Sequence, residues 1–237
     1  MAIFAISDLH LSLGGDKPMD IFGSKWDDHI EKMKSRWNSI ITENDIVVIP
    51  GDISWATYID DAVCDFDYIN NLNGNKLILK GNHDYWWTTQ NKMNLFLEKN
   101  SFNTIKILQN SAYLYDGTAI CGTRGWTIPS AESNGEDRKI FEREKQRLIL
   151  SLESAKALNP NRIIVAMHYP PMDKNNINYD LLNIMKEYKV SECVFGHLHA
   201  AAHANAPVGT FGEIKCRLVS CDYLNFTPVL IDRRAYC

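Results

Sequence analysis

An α/β fold with a parallel core is what this sequence predicts, on three observations. Short apolar runs rich in β-branched residues recur along the chain, segments of helical period lie between many of them, and turn residues bound the runs. Strand and helix alternating in this way is the pattern of β-α-β units, which build parallel sheets.

The elements follow in order. Ile3–Ile6 reads as a first strand, because no basic segment marks it as a leader and Asp8 interrupts it. Trp26, Ile30, Met33, Trp37 and Ile41 repeat at helical spacing, with Trp26 and Trp37 as packing residues and His29 in solvent. Ile46–Ile49 is the next strand. Ile59, Ala62, Val63, Phe66 and Ile69 form a second helical stripe, ended by Asn73-Gly74 before the strand Leu77–Leu79. Ile105–Leu108, Tyr113–Tyr115 and Ala119–Cys121 come in quick succession without helices, so antiparallel pairing is expected there. A third helix opens near Glu136-Asp137, whose charges suit the positive end of a helix, and stops after Leu158 at Asn159-Pro160. Ile163–Met167, Cys193–Phe195, Ile214–Val219 and Val229–Ile231 complete the strands. The stretches 11–25, 123–135 and 170–178 are the least regular.

Composition narrows the class. At 237 residues with no visible linker, the chain is expected to form a single domain over 1–237, long enough to bury a core without a disulfide or zinc staple. Its 25 Lys+Arg against 29 Asp+Glu, a formal charge of −4, speak against a protein held to nucleic acid by phosphate contacts. No apolar run approaches the ~18 residues of a membrane span. Cys64, Cys121, Cys193, Cys216, Cys221 and Cys237 contain no C-x-x-C pair, which suits a reducing compartment, and the cytoplasm is the expected location.

The informative feature is where the polar residues fall. Ile3–Ile6 leads to Asp8 and His10, Ile46–Ile49 to Gly51-Asp52, Leu77–Leu79 to Gly81-Asn82-His83-Asp84, Ile163–Met167 to His168, and Cys193–Phe195 to Gly196-His197-Leu198-His199. Carboxyl ends of parallel strands share one edge, so all of these side chains are expected in one crevice. Imidazole, carboxylate and amide oxygen without thiolate suit Mn, Fe, Zn, Co or Ni. The donors are too many for one tetrahedral ion and a sensible number for two. Two divalent ions, offset by Asp8, Asp52 and a hydroxide, would leave a net positive charge of about one, which attracts a phosphate.

These blocks, D-L-H at Asp8–His10, G-D at Gly51-Asp52, G-N-H-D at Gly81–Asp84, His168 and G-H-L-H at Gly196–His199, resemble the calcineurin-like metallophosphoesterases, in that family's order. The resemblance implies a two-sheet β-sandwich flanked by helices, in four layers. It implies one divalent ion on Asp8, His10 and His199, a second on Asn82, His168 and His197, and Asp52 bridging both, with Mn, Fe, Zn or Co as the metals. It gives His83 the role of protonating the leaving oxygen, Asp84 that of orienting His83, and a bridging hydroxide that of nucleophile. The block Gly51-Asp52-Ile53-Ser54-Trp55 departs from the G-D-x-x-D-R-G of Ser/Thr protein phosphatases, and Asp84 stands where those enzymes carry Glu. N-H-D-Y-W-W at Asn82–Trp87 and G-T-R-G-W at Gly122–Trp126 look like a bacterial-type phosphohydrolase subgroup. The implied activity is dinuclear hydrolysis of a small phosphate ester, with a diester or nucleotide-like compound preferred. A nucleotide-linked pyrophosphatase, a phosphomonoesterase and a metal-retaining scaffold without turnover are the alternatives.

Around the motifs, Arg124 is read either as a bidentate phosphate clamp or as a surface ion pair. Trp55, Trp86, Trp87 and Trp126 form either an aromatic wall for a leaving group or part of the core. His203 is a substrate contact or a polar loop residue, and residues 11–25 are a lid over the crevice or a plain connection.

Overall fold

The computed structural model describes residues 1–174 and 179–233; residues 175–178 of the irregular stretch 170–178, and residues 234–237 with Cys237, lie outside them. The chain builds two mixed sheets. In the first, β1 (Ala2–Ala5), β2 (Ile46–Pro50), β3 (Asn75–Leu79) and β4 (Ile105–Ile107) run parallel in that order, with β11 (Val229–Arg233) antiparallel outside β1. In the second, β6 (Thr118–Thr123), β7 (Arg162–Met167), β8 (Glu192–Phe195) and β10 (Ile214–Leu218) are parallel, flanked by antiparallel β5 (Ala112–Tyr115) and β9 (Gly209–Phe211).

Both faces of each central strand are buried, which is why the strands read as unbroken apolar runs. Successive side chains alternate between faces. Ile3, Ala5, Val48, Leu77 and Leu79 meet Ile120, Ile164, Ala166 and Val194 between the sheets. Phe4, Ile6, Val47, Ile49 and Ile78 face outward onto α1 (His29–Ile40), α2 (Val63–Asn70) and α3 (Gln90–Lys99) through Met33, Trp37, Phe66, Ile69, Met93 and Phe96. Ala119, Cys121, Ile163 and Val165 face α4 (Gly135–Ala157) and α5 (Asp180–Glu187) through Phe141, Leu148, Leu152, Leu181 and Met185. The result is helix, sheet, sheet, helix.

Several local expectations are corrected. The first helix starts at His29 rather than Trp26, because Trp26 ends a 3-10 turn and Asp28 adopts φ 51°. His29 is half-buried rather than solvated, with Nδ1 3.1 Å from the Trp26 carbonyl oxygen and its ring 5.3 Å from that of Trp26. The stripe from Ile59 divides into a 3-10 turn, Ile59–Ala62, and α2. In the region 105–121, β4 is parallel and belongs to the first sheet, whereas β5 and β6 form an antiparallel pair in the second. Unpredicted were α3, capped by Thr89 with Met93, Phe96 and Leu97 buried, the two-turn α5, and β9. Cys121, Cys193, Cys216 and Cys221 are buried free thiols and Cys64 is an exposed one. No described helix is long and apolar enough to cross a membrane.

Lys76, on β3, is a buried cation held by three carbonyl groups. Its Nζ donates to the oxygens of Leu72 at 2.6 Å, Gly74 at 2.8 Å and Asn70 at 3.3 Å, closing the end of α2. Lys76→Met leaves these acceptors without their donor and is expected to cost about 2–3 kcal/mol of stability near pH 7. Burial pushes the Lys76 ammonium down to about 7, from an ordinary 10.5. Between those values the unfolded chain holds the extra proton, so stability rises with pH, by at most about 1.4 kcal/mol per pH unit. Urea melts of the two proteins should therefore diverge from pH 7 to pH 10, and a constant gap would contradict the lowered value.

Candidate metal centre

Five strand ends meet at one edge of the sandwich. Backbone bonds from Asp8 N to the Gly51 oxygen, at 3.0 Å, and from His10 N to the Asp52 oxygen, also 3.0 Å, tie the loops after β1 and β2 together. Asp8, His10, Asp52 and His197 sit at φ 60°, 47°, 51° and 72°, a region that costs an L residue roughly 1–2 kcal/mol. Two glycines let these loops close in. A Cβ on Gly81 would stand 2.1 Å from Asp52 Oδ1, and one on Gly196 would stand 2.3 Å from Asp8 Oδ2.

The donors fall into two sets. In the first, His199 Nε2 lies 3.4 Å from Asp8 Oδ1 and 3.3 Å from His10 Nε2. In the second, Asn82 Oδ1 lies 2.7 Å from His168 Nε2 and 2.8 Å from His197 Nδ1, and those two nitrogens are 3.3 Å apart. Asp52 Oδ2 lies between them, 3.8 Å from His10 Nε2 and 3.4 Å from His168 Nε2. Asp8, His10 and His199, and again Asp8, Asp52 and His168, bring their ligand atoms within 4.8 Å of one another.

The ring tautomers fit cations at both sets. His168 Nδ1 is 3.0 Å from the Pro50 carbonyl oxygen, which only accepts, so Nδ1 carries the hydrogen and the Nε2 lone pair faces inward. His199 Nδ1 stands in the same relation to Asp222 Oδ1 at 2.9 Å. Burial, helped by neighbouring imidazoles, pushes His10 and His197 down to about 3, so both are neutral rings with free lone pairs. His168 is also pushed down by burial. At Asp8, burial is outweighed by the hydrogen bond and charge of His199, which hold the carboxyl well below its usual range. Burial and the Asp8 charge push Asp52 up. At His199 burial is overcome by Asp222 and Asp8, which raise the ring to about 10, so a cation entering here displaces a proton.

Asp222 was not among the residues that the sequence pattern supplied. It anchors His199, accepts from Ala200 N at 3.0 Å, and lies 3.2 Å from His203 Nε2. The signal was present, because Asp222 follows the run Ile214–Val219 just as the other donors follow theirs. Asp222→Asn is expected to weaken cation binding about 10–100-fold, read by chelator competition. Unaltered affinity would reduce Asp222 to a structural residue.

The surroundings revise other expectations. Asp84 does not orient His83. Its carboxylate accepts from the backbone N–H of Gly81 at 2.7 Å, Asp52 at 2.9 Å and Ile53 at 2.8 Å, and from Trp86 Nε1 at 3.1 Å, so it folds the two motif loops onto each other. His83 instead places Nδ1 3.3 Å from the Tyr85 hydroxyl and lies against Trp55, ring centres 4.5 Å apart. Its own N–H donates to Asp52 Oδ1 at 2.8 Å. Trp86 is not part of an exposed wall: it is buried in the core against Phe66, at 5.0 Å. Trp55 does border the crevice, stacked on His10 at 4.9 Å, with Lys17 Nζ 4.8 Å from its ring centre. Residues 11–25 reach back over the site, since Lys17 covers Trp55, Met19 Sδ accepts from Trp55 Nε1, and the adjoining Trp26 lies 6.0 Å from His10 and 5.9 Å from His199. Arg124 has its guanidinium 4.6 Å over Trp126 and 3.7 Å from Glu144, and its carbonyl accepts from His168 N at 3.1 Å. His203 stands beside Asp222.

Solved structures share this architecture, three among them from different bacteria. A phosphopantetheinyl hydrolase from Mycobacterium tuberculosis matches at TM-score 0.60 and 12% identity, over 100% of this chain and 98% of that one. TT1561 of Thermus thermophilus matches at TM-score 0.54 and 12% identity, over 83% and 81%. AQ665 from Aquifex aeolicus, a protein of unknown function, matches at TM-score 0.50 and 15% identity, over 97% and 95%. The search of curated proteins finds no match. The profile of the calcineurin-like phosphoesterases matches residues 1–201, a span that contains all five motif blocks. This chain therefore belongs to the calcineurin-like phosphoesterase family and is a metal-dependent hydrolase of phosphate esters.

Proposed function

We propose that the protein, acting as a single domain, is a two-cation phosphoesterase for a small phosphate ester, with diesters or nucleotide-like compounds preferred. The observation that carries the reading is the placement of Asp52. One of its oxygens faces His10 and His168, from the two donor sets, while the other is held by the His83 N–H. Asp8, His10 and His199 would hold one ion and Asn82, His168 and His197 the other, with Asp52 shared. When bound, such ions supply Lewis acidity toward the phosphoryl oxygens and a nucleophile at neutral pH. The chain's own residues do the rest. Asp222 and the Pro50 carbonyl keep the His199 and His168 lone pairs inward. Trp55 holds the His83 ring at the crevice, where His83 delivers a proton to the departing oxygen. A cavity of about 250 Å³ bordered by Trp126, Tyr169 and His197 can receive a planar leaving group, which supports the preference for nucleotide-like esters.

The test is Mn²⁺-dependent hydrolysis of p-nitrophenyl phosphate beside bis(p-nitrophenyl) phosphate. The diester should be the better substrate. Faster turnover of the monoester would shift the reading to a phosphomonoesterase, and no turnover of either with two ions bound would favour the scaffold.

A further inference from the structure

We infer that a second anion-binding subsite lies beside the metal centre and receives another phosphoryl or carboxylate group of the same substrate; this rests on the phosphoesterase reading. The same sheet edge that gathers the metal donors continues sideways into a cavity of about 230 Å³ between the ends of β3, β4 and β6 and the flank of α4. Lys80, Arg124 and Arg147 line it, and Glu144 is the acidic residue among its lining side chains. Formal charges sum to +2 there, on a chain whose net charge is −4.

Glu144 does not neutralise this excess. It is buried, and its oxygens are taken by Thr123 Oγ1 at 2.5 Å and Arg147 NH1 at 2.6 Å, leaving Arg124 at the longer 3.7 Å. Two polar atoms of the lining are buried without a hydrogen-bond partner, Arg124 Nε and Gln109 Oε1. The Gln109 amide, turned over, offers its NH2. Lys80 is half-buried and has no ion pair among the described residues. Guanidinium, ammonium and amide donors around an open volume, with one donor unpaired, are what a phosphate or carboxylate completes.

Position ties the cavity to the reaction. Lys80 directly precedes Gly81-Asn82-His83, and the Arg124 carbonyl holds the His168 and Tyr169 N–H groups at 3.1 and 2.9 Å. A substrate with two anionic groups can therefore set one over the metal donors and the other among Lys80, Arg124 and Arg147. The class is a bisphosphate, a diphosphate or a phosphorylated acid.

The test uses metal-loaded protein, matched substrates and inorganic phosphate. Adenosine 5′-monophosphate is compared with its diphosphate and with adenosine 3′,5′-bisphosphate, and fructose 6-phosphate with fructose 1,6-bisphosphate. At least one doubly anionic member should exceed its monophosphate about tenfold in kcat/KM, through KM, and Lys80→Gln and Arg147→Gln should bring that ratio toward one. Arg147→Gln also releases Glu144, so Lys80→Gln serves where the other fails to fold. Calorimetry should count two phosphates per wild-type chain and one per Lys80→Gln chain. A single wild-type phosphate overturns the subsite even if no ester is turned over, whereas absent turnover with two phosphates counts against the phosphoesterase reading alone. Two phosphates with no advantage for any doubly anionic substrate would make it a site for free anions and overturn the link to substrate.

Discussion

Asp52→Asn is expected to reduce turnover of any phosphate ester by about 10³-fold or more, with at least one cation lost. The carboxylate has two tasks on two oxygens. Oδ1 accepts the His83 N–H at 2.8 Å, and Oδ2 faces His10 Nε2 and His168 Nε2. An amide has one oxygen. If it serves His83, an NH2 group points at the metal donors; if it serves the donors, two N–H groups collide at His83. The charge is lost as well, in a buried site where one negative charge matters most. Stability should move the other way. In the metal-free protein Asp52 is ionised only against burial and the Asp8 charge, so its neutral replacement should leave the metal-free melting temperature unchanged or higher. Metal content by mass spectrometry, thermal melts and turnover test this together. A variant with wild-type turnover would exclude Asp52 as a shared ligand.

His83→Ala should keep both cations and still lose about 10²–10⁴-fold in kcat, the range for a missing general acid. The loss should be smallest for p-nitrophenyl phosphate, whose leaving group needs little protonation, and largest for an alkyl ester. The pH profile gives a second check. Burial pushes His83 below its ordinary 6.5. The acid form disappears as pH rises through that lowered value, so wild-type turnover of an alkyl ester should fall along a basic limb that the variant lacks. Equal losses for both leaving groups would assign His83 to charge stabilisation instead. Because the ring leans on Trp55 and reaches Tyr85 rather than Asp84, changes at Trp55 should mimic part of this defect, whereas changes at Asp84 should act through loop folding.

The central strands and the donors were legible for one reason. Each donor stands just beyond an apolar run, and a run buried on both faces is visible in any single sequence, as at Ile46–Ile49 before Asp52 or Ile163–Met167 before His168. Asp222 obeyed the same rule and could have been read from it. Trp86 and Asp84 could not. Trp86 and its neighbour Trp87 part where the chain turns after Asp84, and that turn is fixed by five backbone and side-chain bonds to the Asp84 carboxylate. His29 belonged to a polar run, but in the fold its ring lies against Trp26 and Phe226, the latter from the far end of the chain.

What the sequence determined by itself is every strand but the short β9, the helices α1, α2 and α4, the residue types at the strand ends and their chemistry. These depend on local periodicity and on backbone freedom at glycine, which neighbouring residues encode. The tertiary structure alone decided how the ends of the first sheet meet those of the second, so that Asp8 and Asp52 face His168, His197 and His199, and how the same edge opens between β3, β4 and β6 beside Arg124 and Arg147. The contacts of the metal centre join segments more than a hundred residues apart. They follow from stacking two twisted sheets over a shared apolar layer, a relation between faces that no stretch of sequence contains.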